Sequence, residues 1–209
     1  MDREYVLASG NRGKLREMVS MLKPLGLAVR PQSDWRVPEA AETASTFIEN
    51  SLIKARQAAR YTGLPSIADD SGLVVPALKG EPGIYSARYA GENADNEANK
   101  RKLLAELSGR HGADRSAYFY CAMVLVQSVD DVAPLLATGR WYGHILHSEQ
   151  GQGGFGYDPL FGISTAPMDG KQRSAAELTP ADKGLVSHRG QALRELVRQL
   201  RERDDGIIT

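Results

Sequence analysis

The sequence has little cysteine and no excess of charge of either sign. Cys121 is the only cysteine among 209 residues, which excludes an intramolecular disulfide framework and suits a reducing compartment. It lies in an apolar run, so we expect a buried structural thiol and not a nucleophile. The 26 basic residues balance the 26 acidic ones, so no global field favours nucleic acid or an anionic membrane. Any charge that binds phosphate must therefore be local.

Long apolar runs and targeting segments are also missing. No run approaches the roughly 20 apolar residues that span a bilayer, and Met1–Glu4 does not open a signal peptide. We therefore expect a soluble, cytoplasmic protein that binds neither membrane nor nucleic acid. The chain is long enough to bury a sizeable core as one α/β domain or two small lobes.

Helix and strand patterns alternate in the first half of the chain. Tyr5–Ala8 is typical of a short buried strand. The helix after it has a predicted core face of Leu15, Met18, Val19 and Leu22. A capping box, Thr46-Phe47-Ile48-Glu49, opens a second helix, whose predicted core stripe is Ile48, Leu52, Ala55 and Ala59.

The second half contains more strand. Asn93 or Asp95 is expected to cap a helix, and Tyr118–Val126 is apolar at both parities, as a strand buried on both faces would be. Leu135–His147 is typical of extended chain. The last helix is predicted to start after Ser187 and to bury Ala192, Leu193, Leu196, Val197 and Leu200. These patterns predict an α/β fold with a mixed sheet.

A glycine-bearing turn, Ser9–Lys14, separates the first strand from the first helix. Free N–H groups at a helix start attract anions, and glycines let the backbone approach a phosphate closely. Arg12 and Lys14 stand where the helix dipole disfavours cations unless an anion is present. The turn is not a Walker loop, because its glycines are too close together and Leu15 replaces the Ser/Thr. An ordinary strand-to-helix turn is the alternative.

The segment Asp69-Asp70-Ser71-Gly72 is predicted to form a polar turn between two short apolar runs. Adjacent carboxylates repel, so such a turn near a sheet needs a compensating cation such as Mg²⁺. Glu42 and Glu39 could add a carboxylate from elsewhere in the chain. The alternative is a plain β-turn.

The segment Gly151–Pro159 matches the G-x-G-x-x-G dinucleotide fingerprint, but that interpretation is rejected. The fingerprint must open a helix, whereas Pro159 biases Asp158 away from helical dihedrals. Phe155 among four glycines is typical of a loop that presents a stacking surface to a base. The alternative is a structural loop in which Phe155 packs inward.

Further cations come from two helices. His188 and Arg189 fall in the first turn of the last helix, close after Lys183, where an anion or an acidic ligand edge would offset their charge. A solvated helix start is the alternative. Lys54 is predicted to lie away from the core stripe of its helix. The remaining histidines show no metal-ligand spacing and are interpreted as structural or exposed: His111, His144 and His147.

Together these segments resemble the non-canonical purine nucleoside triphosphate pyrophosphatase (inosine/xanthosine triphosphate pyrophosphatase) family. Each block is unspecific alone, but the blocks occur in the family's order over nearly the whole chain. The matching blocks are Ser9–Lys14, Thr46–Arg56, Ile67–Leu73, Pro82–Tyr89, Gly153–Asp158, Lys183 and Ser187–Gly190.

The resemblance implies one domain over residues 1–209, with two lobes, a long twisted mixed sheet flanked by helices, and an active-site cleft between the lobes. It also implies a homodimer and a requirement for Mg²⁺. The implied reaction is hydrolysis of ITP, dITP or XTP to the nucleoside monophosphate and pyrophosphate.

The resemblance also implies a role for particular residues. Asp70 would be the catalytic carboxylate and a metal ligand, with Glu42 and Asp69 assisting at the metal. The implied phosphate-binding residues are Ser9, Gly10, Asn11, Arg12, Gly13, Lys14, Lys54 and Ser71. The residues implied to hold the base and sugar are Phe155, Gly156, Tyr157, Asp158, Lys183, His188 and Arg189.

Two departures and two rival functions accompany the resemblance. Ser9 stands where a threonine is frequent, and Gln172-Arg173 resembles an insertion before Glu177-Leu178. A Maf-type pyrimidine nucleotide pyrophosphatase would have Ser-Pro-Arg-Arg in place of residues 11–14. A non-catalytic nucleotide-binding module would not need the carboxylates at 42, 69 and 70.

Overall fold

A computed structural model of the chain describes residues 4–23, 26–163 and 173–206. Strands and helices alternate along it as an α/β fold. Six strands are formed by β1 Glu4–Leu7, β2 Ala28–Pro31, β3 Ser66–Val74, β4 Ser116–Val126, β5 Leu135–Ile145 and β6 Phe161–Ile163. The α-helices are α1 Arg12–Leu22, α2 Phe47–Thr62, α3 Asn96–Glu106, α4 Pro180–Val186 and α5 His188–Gly206.

The strands form a mixed sheet in the order β2-β1-β3-β4-β5-β6. Strand β1 pairs parallel with β2 and with β3, where Leu7 lies opposite Ile67. Strand β6 pairs antiparallel with β5. The predicted mixed α/β sheet is therefore confirmed, whereas the predicted cleft between lobes stays a prediction.

The described chain divides into two compact units, and β3, β4 and β5 each contribute to both. The first unit contains the residues up to 70, residues 121–139, and the residues from 188 onward. The second contains residues 71–120 and 140–187. The core of the second unit includes Phe119, Trp141 and Phe161, with the rings of Phe119 and Phe161 4.6 Å apart between centroids.

Alternate residues of β3 belong to two different cores within the first unit. Ile67 packs in a cluster with α1 and α5, which contribute Met18 and Leu196 among others. Ala68 packs in a second cluster with Ala55 of α2. Because successive side chains of a strand point to opposite faces, the next two residues of β3 also face opposite sides. This alternation decides where the two aspartates point.

The predicted helix starts are confirmed. The Thr46 hydroxyl caps α2 by accepting the N–H of Glu49 at 3.2 Å, which is the N-cap half of the predicted capping box, and it donates to the Glu49 carboxylate at 2.7 Å. Of the two candidate caps for α3, Asp95 is the one used. Helix α5 starts directly after Ser187, and all five predicted core residues of this helix are buried.

Two predicted core faces need correction. Val19 of α1 is 39% exposed and Ile48 of α2 is 37% exposed, so neither is a core residue. Near its start, α2 buries Asn50 and Ser51 instead, because these polar side chains have partners. Asn50 Oδ1 accepts the Ala44 N–H at 3.0 Å, and the Ser51 hydroxyl donates to the Ala68 carbonyl at 2.9 Å.

The predicted polar turn at residues 69–72 is wrong, because β3 runs unbroken from Ser66 to Val74. The proposed insertion falls partly outside the described residues, at Gln172. The carbonyl of Arg173 accepts the Ile163 N–H at 2.9 Å. In the described parts of the chain, no helix has the length and apolar character needed to cross a bilayer.

Candidate active site

Two neighbouring aspartates lie inside the first unit on β3. Asp69 is 1% exposed and Asp70 is 5% exposed. Burying an ionised carboxylate costs free energy unless cations and hydrogen bonds compensate for the lost water. Helices on both sides of the strand supply those cations, which explains why β3 continues where the sequence pattern predicted a turn.

Asp69 faces α1 and α5 and contacts a cation from each. Its Oδ2 lies 3.2 Å from Lys14 Nζ and 3.4 Å from both Nε and Nη2 of Arg189. Nη1 of Arg189 also pairs with Glu17 of α1. Burial alone would raise the pKa of Asp69, but the attraction of Lys14 and Arg189 outweighs it and holds this pKa below its ordinary value. Asp69 is therefore fixed as an ion.

Asp70 faces α2, where a single lysine lies close to two carboxylates. Lys54 Nζ lies 2.6 Å from Glu42 Oε1 and 3.4 Å from Asp70 Oδ1. Burial raises the pKa of Asp70 even though Lys54 opposes the shift. Burial also disfavours the charged form of Lys54, but the nearby carboxylates outweigh it and raise the pKa of this lysine. A charged lysine thus stands beside a carboxylate that binds protons more readily than usual.

The observed face of α2 also corrects the placement of Lys54. Sequence patterning put this lysine away from the core stripe. The helix turns Ser51, Ala55 and Ala58 inward, and Lys54 lies one turn after Ser51, beside that buried face. Its ammonium therefore reaches β3.

The loop before α1 is organised by Asn11. Oδ1 of this N-cap residue accepts the N–H groups of Gly13 at 2.9 Å and Lys14 at 3.0 Å. The Ser9 hydroxyl oxygen accepts the Asn11 N–H at 3.2 Å. Two of the N–H groups that an anion at this helix start would use are therefore already bonded.

Gly10 does allow a close approach to the backbone, but the group that approaches it is a carboxylate and not a phosphate. A Cβ at Gly10 would overlap Oε1 of Glu39, so only glycine fits there without movement. Glu39 therefore lies against the loop, whereas Glu42 lies at Lys54. Of the two acidic residues before α2, Glu42 is the one that joins the group around Asp70.

In the second unit, the glycine-rich loop folds around Asp158. Oδ2 of this 3%-exposed residue accepts the Phe155 N–H at 2.8 Å and a hydrogen bond from Lys183 Nζ at 2.7 Å. The Lys183 ammonium also lies 4.9 Å from the centroid of the Phe155 ring. Gly154 has φ +71°, and a Cβ there would overlap the Asp158 carboxylate. The loop is thus an ordered assembly.

The structure of this loop confirms that Gly151–Pro159 is not a dinucleotide-binding fingerprint, which would have to open a helix. A short 3₁₀ turn, Asp158–Leu160, follows it in place of an α-helix. Tyr157 is buried, and its hydroxyl donates to the Ser86 carbonyl at 2.9 Å. Within the second unit, Phe155, Asp158 and Lys183 are brought together as one group.

Two residues at the start of α5 are those for which the family resemblance implies contact with the base. His188 is 4% exposed, and a Cβ at Gly139 would overlap its carbonyl oxygen. Arg189 is 2% exposed and pairs with Asp69 and Glu17, so its guanidinium belongs to the charged group around β3. Contact of either residue with a base stays a prediction. Glu17 was not predicted, although its position three residues after Lys14 on a helix was a usable signal.

The acidic residues also bear on the predicted metal. In residues 4–23, 26–163 and 173–206 there is no group of three or more His, Cys, Asp or Glu side chains placed to hold a metal ion. Mg²⁺, however, is commonly bound by one or two carboxylates together with waters and substrate phosphates. Asp70 and Glu42, which both contact Lys54, fit that mode. Asp69 faces the opposite side of β3.

The model of the Ham1 family matches residues 5–199. The chain belongs to the Ham1 family. A relative named dITP/XTP pyrophosphatase from Thioalkalivibrio sulfidiphilus is 51% identical over 200 residues, which cover 96% of this chain and all of that one. Another of the same name, from Vibrio parahaemolyticus, is 52% identical and covers 95% of this chain and 96% of its own.

Solved structures of the Ham1 family share the fold. A HAM1 protein from Coxiella burnetii superposes with a TM-score of 0.86 at 47% identity, over 96% of this chain and 99% of that one. A nucleoside-triphosphatase / dITP/XTP pyrophosphatase from Mycobacterium abscessus gives a TM-score of 0.72 at 42% identity, over 94% and 99%. The resemblance inferred from the ordered motifs is therefore confirmed.

Proposed function

We propose that this Ham1-family protein is an enzyme that hydrolyses ITP, dITP and XTP to the nucleoside monophosphate and pyrophosphate. The observation that carries the proposal is Asp70, a buried carboxylate of raised pKa that lies beside Lys54 and Glu42. Relatives about half identical over nearly their whole length are named for this reaction. The enzyme would remove non-standard purine nucleotides from the cytoplasmic pool.

Asp70 is assigned the proton transfer. A general base works best when its pKa is moved toward the working pH, and burial moves the pKa of Asp70 in that direction. The carboxylate orients a water whose oxygen attacks the α-phosphorus, and it accepts the proton that this water loses. The bond from the α-phosphorus to the bridging oxygen breaks, and the electron pair leaves with pyrophosphate.

Two lysines are assigned to bind the triphosphate and to neutralise its negative charge. Lys54 sits beside Asp70, and Lys14 is held by Asp69 at the start of α1. Fixed cations in a partly dehydrated site stabilise developing charge without reorganising. Ser9, Arg12 and Ser71 would add donors. Because Asn11 already bonds two N–H groups of the helix start, side chains would carry most of the phosphate contacts there.

Asp70 and Glu42 are the residues that would hold Mg²⁺. The ion, when bound, neutralises charge on the leaving pyrophosphate. Asp69 is left out of this set, because its carboxylate is paired with Lys14 and Arg189 on the other face of β3.

The group around Asp158 is assigned to the base. Hypoxanthine and xanthine carry a 6-oxo acceptor, whereas adenine carries a 6-amino donor. Lys183 offers donors, and Asp158 fixes its ammonium at 2.7 Å. Facing adenine, such a donor would lose a hydrogen bond at a cost of roughly 1–3 kcal/mol. Phe155 would stack on any purine.

A labelled-water experiment tests the reaction. With ITP and Mg²⁺ in ¹⁸O water, attack at the α-phosphorus puts label in the monophosphate and none in the pyrophosphate. A chelator should abolish turnover, and added Mg²⁺ should restore it. Orthophosphate with a diphosphate product would identify a different enzyme, and activity on pyrimidine triphosphates alone would favour the Maf-type alternative. Binding without any turnover would favour a nucleotide-binding module.

A homodimer completes the proposal, since C₂ dimers are the commonest assemblies of soluble oligomeric proteins. Sedimentation velocity at micromolar concentration is the test. We expect one species of twice the 22.7 kDa chain mass. A single species at the monomer mass would contradict it.

A further inference from the structure

A buried arginine and two histidines line a cavity in the second unit, which the proposed reaction does not use. The cavity has a volume of about 310 Å³. A third histidine, His111, lies against this group, its ring centroid 5.7 Å from that of His147. The lining residues that matter are Gly112, Arg115, His144, His147, Ser148 and Gln150.

Arg115 brings a positive charge to this cavity without a carboxylate partner in the described chain. Its side chain is bonded only to backbone carbonyls, and the residue is 5% exposed. Nε donates to Ile145 at 2.7 Å, Nη1 to Leu107 at 3.0 Å and Nη2 to Leu146 at 2.7 Å. Burial lowers the pKa of this guanidinium. A guanidinium has five N–H groups, so one remains on each terminal nitrogen.

The carbonyl dipoles offset the charge of Arg115 only in part. Leu107 is the C-terminal cap of α3, where the helix dipole is negative. A buried cation without a formal counter-ion still costs free energy. An anion in the cavity would remove that cost.

The rest of the lining suits an anion. No Asp or Glu is among the lining residues that the structure describes. Glu149, next to two of them in sequence, is paired with Lys100. Ser148 is exposed and Gln150 is half-buried at this lining, and a hydroxyl and a side-chain amide can both donate.

We propose that this cavity is a binding site for a phosphate-class oxoanion. The two remaining N–H groups of Arg115 bind two of its oxygens, as a guanidinium fork does. Ser148, Gln150 and His147 supply donors to the others. A tetrahedral oxoanion has more acceptor oxygens than a carboxylate, so it satisfies this set better. None of these residues belongs to the groups around Asp70 or Asp158, and the inference does not depend on the proposed reaction.

Histidine signals provide a local readout in the full-length protein. We would titrate it with inorganic phosphate at constant pH and ionic strength and follow the imidazole ¹H–¹³C signals by NMR. The chain has only four histidines, and each signal can be assigned from a His→Gln variant. The expected result is a saturable shift of His144 and His147, with sulfate acting like phosphate and acetate binding more weakly. The proposal would be overturned if neither the His144 nor the His147 signal shifted saturably, or if the shift were confined to His188.

A charge introduced into the lining tests the assignment of Arg115. Ser148→Asp places a carboxylate in the cavity and should weaken phosphate binding at least about tenfold, because like charges repel. Ser128→Asp adds the same charge at an exposed residue outside this lining and should bind as the wild type does. Arg115→Lys removes the fork but also carbonyl bonds, so its folding is checked first by circular dichroism. Equal phosphate affinity in Ser148→Asp and wild type would overturn the proposal.

Discussion

Asp69 and Asp70 are adjacent on β3, almost equally buried, and have opposite electrostatic environments. Asp69 meets Lys14 and Arg189 and has a lowered pKa. Asp70 meets Lys54 at salt-bridge distance, and its pKa is raised. Burial raises the pKa of both carboxyls, and at Asp69 the attraction of Lys14 and Arg189 outweighs it. At Asp70 the attraction of Lys54 does not outweigh burial, and the nearby carboxylates of Glu42 and Asp69 add to the rise.

The comparison distinguishes Asp69, whose carboxylate holds the structure together, from Asp70, whose carboxylate is proposed to take part in the reaction. Asp69 is an ion that joins α1, β3 and α5, and it fixes the ammonium of Lys14. Asp70 retains basicity, as a group that accepts a proton during hydrolysis must. Substitutions at the two aspartates test that division.

Asp70→Asn should lower turnover by at least about 10³-fold, because a proton acceptor and a proposed metal ligand are both lost. The variant should stay folded and should not lose stability at neutral pH, because burial disfavours the ionised form of Asp70 in the folded protein. Pyrophosphate release from ITP with Mg²⁺ measures turnover, and urea unfolding measures stability. Near-normal turnover by the folded variant would remove Asp70 from the mechanism.

Asp69→Asn should have its main effect on stability. The substitution leaves Lys14 and Arg189 buried with less negative charge, and breaking a buried ion pair costs roughly 3–5 kcal/mol. Urea unfolding at neutral pH measures the loss. Glu195→Gln, which removes one partner of an exposed pair with Arg198, is the control and should change stability little. If Asp69→Asn were no more destabilising than Glu195→Gln, the comparison between the two aspartates would fail.

The outline of the fold could be predicted from the sequence, because each prediction depended on local periodicity. The N-cap at Thr46 and the core of α5 are determined by residues close together in the chain. The continuity of β3 could not be predicted in this way. Asp69 is neutralised by Arg189, 120 residues away, and no local pattern shows that pairing. An acidic pair without its distant cations has the pattern of a turn.

The sequence predicted which residues belong to the candidate site, but not how they divide into the groups around Asp69, Asp70 and Asp158. The family resemblance implied a base-binding role for Arg189, together with His188 and Lys183. The structure pairs Arg189 with Asp69, so Arg189→Ala would leave a buried carboxylate without one of its cations. That variant would change stability, and specificity could not be read from it. Lys183 is the better probe of base choice.

Lys183→Met should reduce the preference for ITP over ATP by about 10- to 100-fold in kcat/KM, the equivalent of one lost hydrogen bond to a 6-oxo group. Asp158, like Asp69, is a buried carboxylate held by a cation, so the single variant also loses stability. The double variant Lys183→Met/Asp158→Asn removes both charges and is the matched comparison. A folded double variant that kept the wild-type preference would show that Lys183 does not read the base.

Phe155→Ala should weaken all purine substrates alike, by roughly 1–3 kcal/mol per stacked base. A ring that stacks on every purine supplies affinity and no discrimination. Ratios of kcat/KM for ITP, XTP, ATP and GTP measure this, and Phe47→Ala, a ring outside the loop, serves as the control for losing an aromatic side chain. A changed ITP-to-ATP ratio in Phe155→Ala would assign a selective contact to the ring.

The smallest expected effect is the pH dependence of stability, to which Asp69 and Asp70 should contribute with opposite signs. The folded pKa of Asp69 is below its unfolded value of about 4, so Asp69 stabilises the protein above that pH and the contribution is lost as pH falls toward the folded pKa. For Asp70 the sign reverses. Its folded pKa is raised, so its contribution is complete below the unfolded pKa and is lost as pH rises through the folded one.

Urea unfolding of wild type, Asp69→Asn and Asp70→Asn from acidic to neutral pH separates the two contributions. Relative to wild type, Asp70→Asn should gain stability as pH rises from about 4, since the asparagine never ionises. Asp69→Asn should instead lose stability relative to wild type over the acidic range as pH rises. Parallel curves for the two variants would mean that the two faces of β3 treat their carboxylates alike, and Asp70 would then have no special basicity to use in catalysis.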